Sequence, residues 1–421
     1  MSSPGPATCS STLAPGFAAA PTPFTVPAPR CQVDFNEPAQ DSEVAYSTLD
    51  LTADDHPDLV VFKDQCDATI GQTHWDLYPW SASGFAGAPL PFKVPAPRCQ
   101  VSFDEAAQDA AVTYATVDLT GDGHPDLVAF SDQCDASVGQ THWDLYAWSA
   151  SGFAAAPVPF AVPAPRCQVD FDKASHDDSI SYAMMDLTGD GTSDLVVFGD
   201  HCDATVGQTH WDVYAGSASG FAAAPVPFAI PAPRCQIDFD EAAQDAAMSY
   251  STMDLTADGH PDLVVFSDQC DASVGQTHWD LYPWSAAGFA AAPVPFTVPA
   301  PRCQISFDEA SQDATIAYAA MDLTGDGNPE LVVFGDRCDT STGQTHWDVY
   351  PWSTSGFAAA PTPFALPAPR CQIDFDEAAQ DAAISYSTMA LTAACGVDLV
   401  VFGDQCDATV GQTHWDVYGA Q

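Results

Sequence analysis

Positive charge is nearly missing from this chain: 10 Lys+Arg stand against 57 Asp+Glu, a formal net charge of −47. A balance this one-sided excludes nucleic acid and anionic membrane surfaces as partners, because both are repelled. It suits divalent cations or cationic ligands instead. Long apolar runs are missing as well. None approaches the roughly 18 residues that span a bilayer, so no membrane insertion is expected. The opening residues "MSSPGPATCSS" contain neither a charged segment nor an apolar one, so no secretory leader is visible. Helical periodicity is absent apart from one turn's worth in "DEAAQDAA" at 104–111. No cysteine pair has the CxxC spacing of a zinc site. There is no HExxH motif and no serine-centred elbow. The expectation is therefore a chain that is not an enzyme, since its titratable residues recur equivalently rather than converging in one polarised constellation.

What is present is a long repeat. The string "GQTHWD" begins at Gly71, Gly139, Gly207, Gly275, Gly343 and Gly411, every step being 68 residues without insertion. A fixed period of this length means a repeat architecture. Within the unit from Cys99, four segments read as strands: 112–118, 126–132, 141–150 and 157–163. The first three carry β-branched and aromatic residues with alternation or short apolar runs. The fourth is Pro-rich and is acceptable only at a sheet edge. Four antiparallel strands repeated six times predict an all-β fold, a six-bladed β-propeller.

The ends of the sequence are complementary. Residues 15–27, "PGFAAAPTPFTVP", match the outer-strand part of a unit, and "THWDVYGAQ" stops after a third strand. The N-terminal strand is expected to complete the last blade and close the ring. The whole of 1–421 is then one domain. It divides into a closing segment 1–30, repeats 31–98, 99–166, 167–234, 235–302 and 303–370, and a last repeat 371–421.

Twelve of the 14 cysteines fall in pairs 35 positions apart: Cys31 and Cys66, Cys99 and Cys134, Cys167 and Cys202, Cys235 and Cys270, Cys303 and Cys338, Cys371 and Cys406. One disulfide per repeat is the expected pairing, which implies an oxidising, extracellular or periplasmic setting. Cys9 and Cys395 remain. The topology sets both near the closing blade, so they are expected to pair and staple the ends of the ring.

Each unit also holds an acidic loop, D-x-T-x-D-G-x-x-D, with potential ligands at positions 1, 3, 5 and 9. The five copies are Asp50, Thr52, Asp54 and Asp58; Asp118, Thr120, Asp122 and Asp126; Asp186, Thr188, Asp190 and Asp194; Asp254, Thr256, Asp258 and Asp262; and Asp322, Thr324, Asp326 and Glu330. Calcium takes six to eight oxygens at about 2.3–2.6 Å from a tightly turned loop, and alternate residues of such a loop aim oxygens inward. The plain alternative is an acidic hairpin turn. The sixth copy, from Ala390, has Ala at positions 1 and 5 and Cys395 at the glycine position, so no ion is expected there.

Strings such as "YATVDLTGDGHPDLVAF" and "YAWSASGFAAAP" make the units resemble the FG-GAP/VCBS repeats, the blades of integrin α-subunit heads, across essentially the whole chain. The resemblance implies a calcium-binding propeller used in extracellular recognition or adhesion. It extends distantly to mushroom propeller lectins of the Psathyrella velutina type, which bind sugars between blades. Departures are Thr at position 3, Asp55 in place of glycine, and Glu330 in place of Asp.

The face opposite the acidic loops carries Arg98, Asp135, Gln140, His142 and Trp143, with equivalents His74 and Trp75, His210 and Trp211, His278 and Trp279, His346 and Trp347. Tryptophans beside hydrogen-bonding groups form a surface that suits sugars. The alternatives are that the tryptophans pack between sheets, that Arg98 pairs with a nearby Asp, and that the histidines are capped in the core. Two functions follow: a secreted, multivalent, lectin-like module whose partners are glycans or an extracellular surface, or a structural, surface-coat propeller with no small-ligand site.

Overall fold

The computed structural model describes residues 16–27, 45–54, 56–63, 69–95, 114–130, 137–139, 141–163, 182–198, 205–231, 250–266, 273–299, 318–334, 341–342, 345–367, 386–392, 396–402, 409–410 and 413–420. Its strands form six four-stranded antiparallel sheets, each with its strands in chain order except the last. Blade one comprises Ala45–Leu49, Asp58–Lys63, His74–Tyr78 and Leu90–Lys93. Blade two comprises Tyr114–Val117, Asp126–Ala129, His142–Tyr146 and Val158–Ala161. Blades three, four and five repeat this pattern at later positions along the chain. The blade-two strands are three to five residues shorter than the segments expected from sequence, the third ending at Tyr146 ahead of the Ser149–Gly152 turn. No helix occurs among the described residues, and none is long and apolar enough to cross a membrane. Segment 104–111 lies outside them.

Blade six is completed from the other end of the sequence. Thr22–Thr25 pairs antiparallel with His414–Tyr418, with Phe24 opposite Trp415. The ring is closed as its complementary ends predict. First strands are half-buried, as befits the inner wall of a propeller. Fourth strands form the rim, where Leu90, Val158, Val226 and Val294 are exposed and a proline follows each. Proline has no N–H to offer a foreign strand, so it blunts this edge against pairing.

The core is not one mass but six equivalent layers, one between each pair of neighbouring blades. Between blades one and two, Val60, Trp75, Leu77 and Phe92 meet Leu127, Ala129, Tyr146 and Phe153. The period-2 alternation of strand three explains this. Trp75 and Leu77 point toward one neighbour, while His74, Asp76 and Tyr78 point toward the other.

A second device joins the blades. At each boundary the Gly-Phe of one blade's 3–4 connection docks on the fourth strand of its neighbour. Phe153 N–H donates to the Lys93 carbonyl at 2.9 Å and Phe85 N–H to that of Thr25 at 2.8 Å. Gly152 has φ +135°, and any Cβ there would run into Lys93. The sixth such clasp is Phe17 N–H to the Ala365 carbonyl at 2.8 Å, made by the closing segment.

Candidate functional site

The acidic loops join strands one and two and so gather on one face of the ring. In the second loop the Asp118 carboxylate turns the backbone around itself. Its Oδ1 accepts from Gly121 N–H at 2.7 Å and Asp122 N–H at 3.3 Å, and its Oδ2 from Gly123 N–H at 2.8 Å. Asp186 and Asp322 repeat all three bonds. Position 4 as well as position 6 is left-handed: Gly121 has φ 72° and Gly123 has φ 87°, while Ala53 and Ala257 hold φ 63° and 59° without glycine's freedom. Asp54 and Asp122, at position 5, are exposed.

Position 9 is engaged by the backbone. The Asp58 carboxylate is fully buried and accepts four hydrogen bonds. They come from Leu51 N–H at 3.0 Å, Thr52 N–H at 2.9 Å, Trp80 N–H at 2.9 Å and the Thr52 hydroxyl at 3.4 Å. A carboxylate has about four lone-pair sites, so none is left for an ion. Asp194 and Asp262 are saturated in the same way, and Asp126 accepts three backbone N–H bonds. Asp58, Asp194 and Asp262 are therefore struts that tie the acidic hairpin to the end of strand three, and Asp126 makes the same backbone ties with one lone-pair site left over. The sixth loop supplies the proof by contrast. It has lost positions 1 and 5, yet Asp398 keeps the same bonds to Leu391, Thr392 and Ala420.

Glu330 is the exception. Its extra methylene leaves only Leu323 N–H at 2.9 Å and the Thr324 hydroxyl at 2.9 Å as partners. Oxygens of Asp322, Asp326 and Glu330 come within 4.8 Å of one another, the one such convergence among the described residues. The donor set thus fits a hard cation most fully in the fifth loop. In the loops from Asp50, Asp186 and Asp254 it shrinks to positions 1, 3 and 5 with the carbonyl of position 7, and in the loop from Asp118 the Asp126 carboxylate adds one free lone-pair site. Burial pushes the position-9 carboxyls of Asp58, Asp126, Asp194, Asp262 and Glu330 above their ordinary range, against the lowering effect of their hydrogen bonds.

On the opposite face, the six tryptophans of the "THWD" strings are not a stacking surface. Trp75, Trp143, Trp211, Trp279, Trp347 and Trp415 are 0–1% exposed. Trp143 meets Phe130 and Phe221 edge-on, at 4.8 and 5.5 Å between ring centres. Strand alternation turns these indoles into the interblade layer, so they are packing residues. The neighbouring histidines are pinned. His142 Nε2 lies 3.3 Å from the buried Asp144 carboxylate, and its Nδ1 faces the Thr141 and Ser137 hydroxyls at 3.5 Å. His74, His210, His278, His346 and His414 repeat the Asp contact at 3.3–3.4 Å. Arg98, Asp135, Gln140, Asp55 and all 14 cysteines lie outside the described residues, so neither the expected disulfides nor the Cys9–Cys395 staple is described.

A second tryptophan series, passed over in the sequence, stands on the acidic-loop face. Trp80, Trp148, Trp284 and Trp352 are half-buried. Each indole N–H reaches back to the loop of the preceding blade: Trp80 to the Leu391 carbonyl, Trp148 to Leu51, Trp284 to Leu187 and Trp352 to Leu255, at 2.9–3.2 Å. In three blades the imidazole of loop position 7 lies over the ring, with centroids 3.6–4.0 Å apart for His56–Trp80, His124–Trp148 and His260–Trp284. Covariation between repeats was the available signal. Where the tryptophan is Gly216 or Ala420, position 7 is Thr192 or Gly396 rather than His or Asn.

No known family profile matches the chain, and no curated protein does. Among solved structures, it is similar to a lectin of Agrocybe aegerita described as recognising non-reducing terminal N-acetylglucosamine. That likeness has a TM-score of 0.45 and 15% identity, over 90% of this chain and 79% of that one. It is also similar to a luciferin-regenerating enzyme, with a TM-score of 0.28 and 11% identity over 96% of this chain and 95% of that one. Likenesses this weak do not bear on the ligand of this chain.

Proposed function

We propose that the chain is a calcium-binding propeller of the FG-GAP/VCBS type, acting outside the cytoplasm as a multivalent, lectin-like recognition module. The observation that carries this reading is the crowding of five acidic loops onto one face, beside four half-buried indoles. Asp50, Asp118, Asp186, Asp254 and Asp322, with their position-3 and position-5 partners, would hold the ions, and Glu330 would join them in the fifth loop. Bound calcium would neutralise the paired carboxylates and stiffen the loops between which a ligand sits. The indoles and loop carboxylates together offer the apolar surface and hydrogen-bonding groups that sugars require. The glycan reading therefore moves from the "THWD" face to the acidic-loop face. Repetition of the indole in four blades lets weak sites add through effective concentration.

The competing reading is a scaffold, favoured by the interblade clasps that recur at all six boundaries. A glycan array probed in calcium and again in EDTA separates the two. Avid binding lost with calcium supports recognition. A silent array from a protein whose melting temperature still rises with calcium leaves the scaffold. A melting temperature indifferent to calcium overturns the metal assignment itself.

A further inference from the structure

We propose that the ring is mechanically two three-blade halves, joined at two diametrically opposed seams that loosen on the acidic-loop face before the rest of the ring does. The indole bonds define the halves. Trp352 and Trp284 tie blade five to four and four to three, while Trp148 and Trp80 tie blade two to one and one to six. Blades three and six carry Gly216 and Ala420 instead, so no indole reaches from blade three to the loop of blade two, or from blade six to that of blade five. The two omissions are three blades apart, which sets them across a diameter.

Among the described residues, the seams differ from the other boundaries on this face. The Gly-Phe clasp persists across both, from Phe221 to Ala161 and from Phe17 to Ala365, each at 2.8 Å. The apolar layers are complete there too. Toward the rim each seam is therefore fastened like any other, while at the loops neither has an indole across it, and at the seam between blades five and six Gly396 packs against the Leu323 carbonyl instead. A Cβ on Gly189 in the third loop, which Trp284 of the next blade covers, would stand 3.1 Å from that ring, whereas one on Gly121 in the second loop, which has no indole from the next blade, would meet nothing nearer than the Thr192 hydroxyl at 3.9 Å. Gly216 has no room for a side chain, because a Cβ there would run into the Ser193 carbonyl of the same blade. Fastened at the rim and light at the loops, each seam has the form of a hinge.

Three loops share the string T-G-D-G, and they make an internal control: loop two (Gly121) and loop five (Gly325) lie at seams, whereas loop three (Gly189) lies under Trp284. Loops two and three share the three bonds to the position-1 carboxylate and the Asp at position 9, so the indole from the next blade is the variable between them, while loop five differs in Glu330 as well. Hydrogen–deuterium exchange on the full chain in EDTA should show amides 119–123 and 323–327 exchanging about tenfold faster than 187–191, the effect of losing one hydrogen-bonded cover. Equal rates in the three loops, or fastest exchange in loop three, would overturn the proposal. Trp284→Phe keeps an aromatic ring but removes the N–H, and should bring loop three up to the rate of loop two. A folded Trp284→Phe protein with loop three still slow would also overturn it.

Discussion

Replacing Asp398 by Ala isolates the strut from any metal, because the sixth loop has alanine at positions 1 and 5. The substitution removes the acceptor for Leu391 N–H at 2.8 Å, Thr392 N–H at 2.7 Å, the Thr392 hydroxyl at 2.8 Å and Ala420 N–H at 3.4 Å. Leu391 is fully buried, so its N–H is orphaned at a cost of about 1–3 kcal/mol. Thr392 and Ala420 are half-buried and can turn to water, which limits each loss to about 0.5–1 kcal/mol. The expected total is about 3–5 kcal/mol, a large fraction of the roughly 5–15 kcal/mol that holds a domain folded. Asp398→Asn should cost roughly half as much, since one amide oxygen can still serve Leu391 and Thr392. Urea unfolding in calcium and in EDTA is the assay, and the loss should be the same in both. A loss below about 1 kcal/mol, or one confined to calcium, would refute the strut.

Gly152→Val sets a side chain against Lys93 at φ +135° and should cost roughly 3 kcal/mol or more, read as a fall in the urea midpoint; a neutral outcome would mean the clasp is soft. Trp143→Ala should cost about 3–5 kcal/mol, whereas Trp143→Phe, which also removes a buried N–H that has no acceptor, should cost roughly 1–2 kcal/mol; equal losses would deny the packing role. The position-9 carboxyls have folded pKa values raised above their unfolded ones, so the native state takes up protons first as pH falls. In EDTA, stability should therefore rise as pH drops from neutral toward the unfolded carboxylate range of about 4, and Asp126→Asn should rise less than the parent. An identical rise in both proteins would remove Asp126 from the account.

Much of the fold was legible because the repeat prints it six times. The 68-residue period, the four strand segments and the complementary ends depend on local pattern and on counting, and period-2 alternation carries both. The site was less legible, for identifiable reasons. Spacing cannot tell an Asp that faces an ion from one that faces backbone N–H groups, so it does not show that the Asp58 carboxylate is taken up by four protein donors. Alternation alone does not say which side of a strand meets a neighbouring sheet, so Trp143 stood as a candidate surface residue. Trp148 drew no notice because the bond that gives it meaning, to the Leu51 carbonyl, crosses from one blade to the next. Covariation of His124 with Trp148, and of Thr192 with Gly216, was visible in the letters, but only the third dimension says that these positions touch.

The closing strand has a kinetic corollary. Phe24 and Trp415 stand at opposite ends of the sequence, so the pairing of their strands is among the longest in range of the described residues and should be the last to form. Until Thr22–Thr25 docks, the edge of His414–Tyr418 offers open N–H and C=O groups with no proline to blunt it. During that interval a second, unfinished chain can lend its own Thr22–Thr25 instead, and two rings become interlocked. Dilution favours the intramolecular partner and crowding the foreign one, so the yield of single rings on refolding should fall as protein concentration rises.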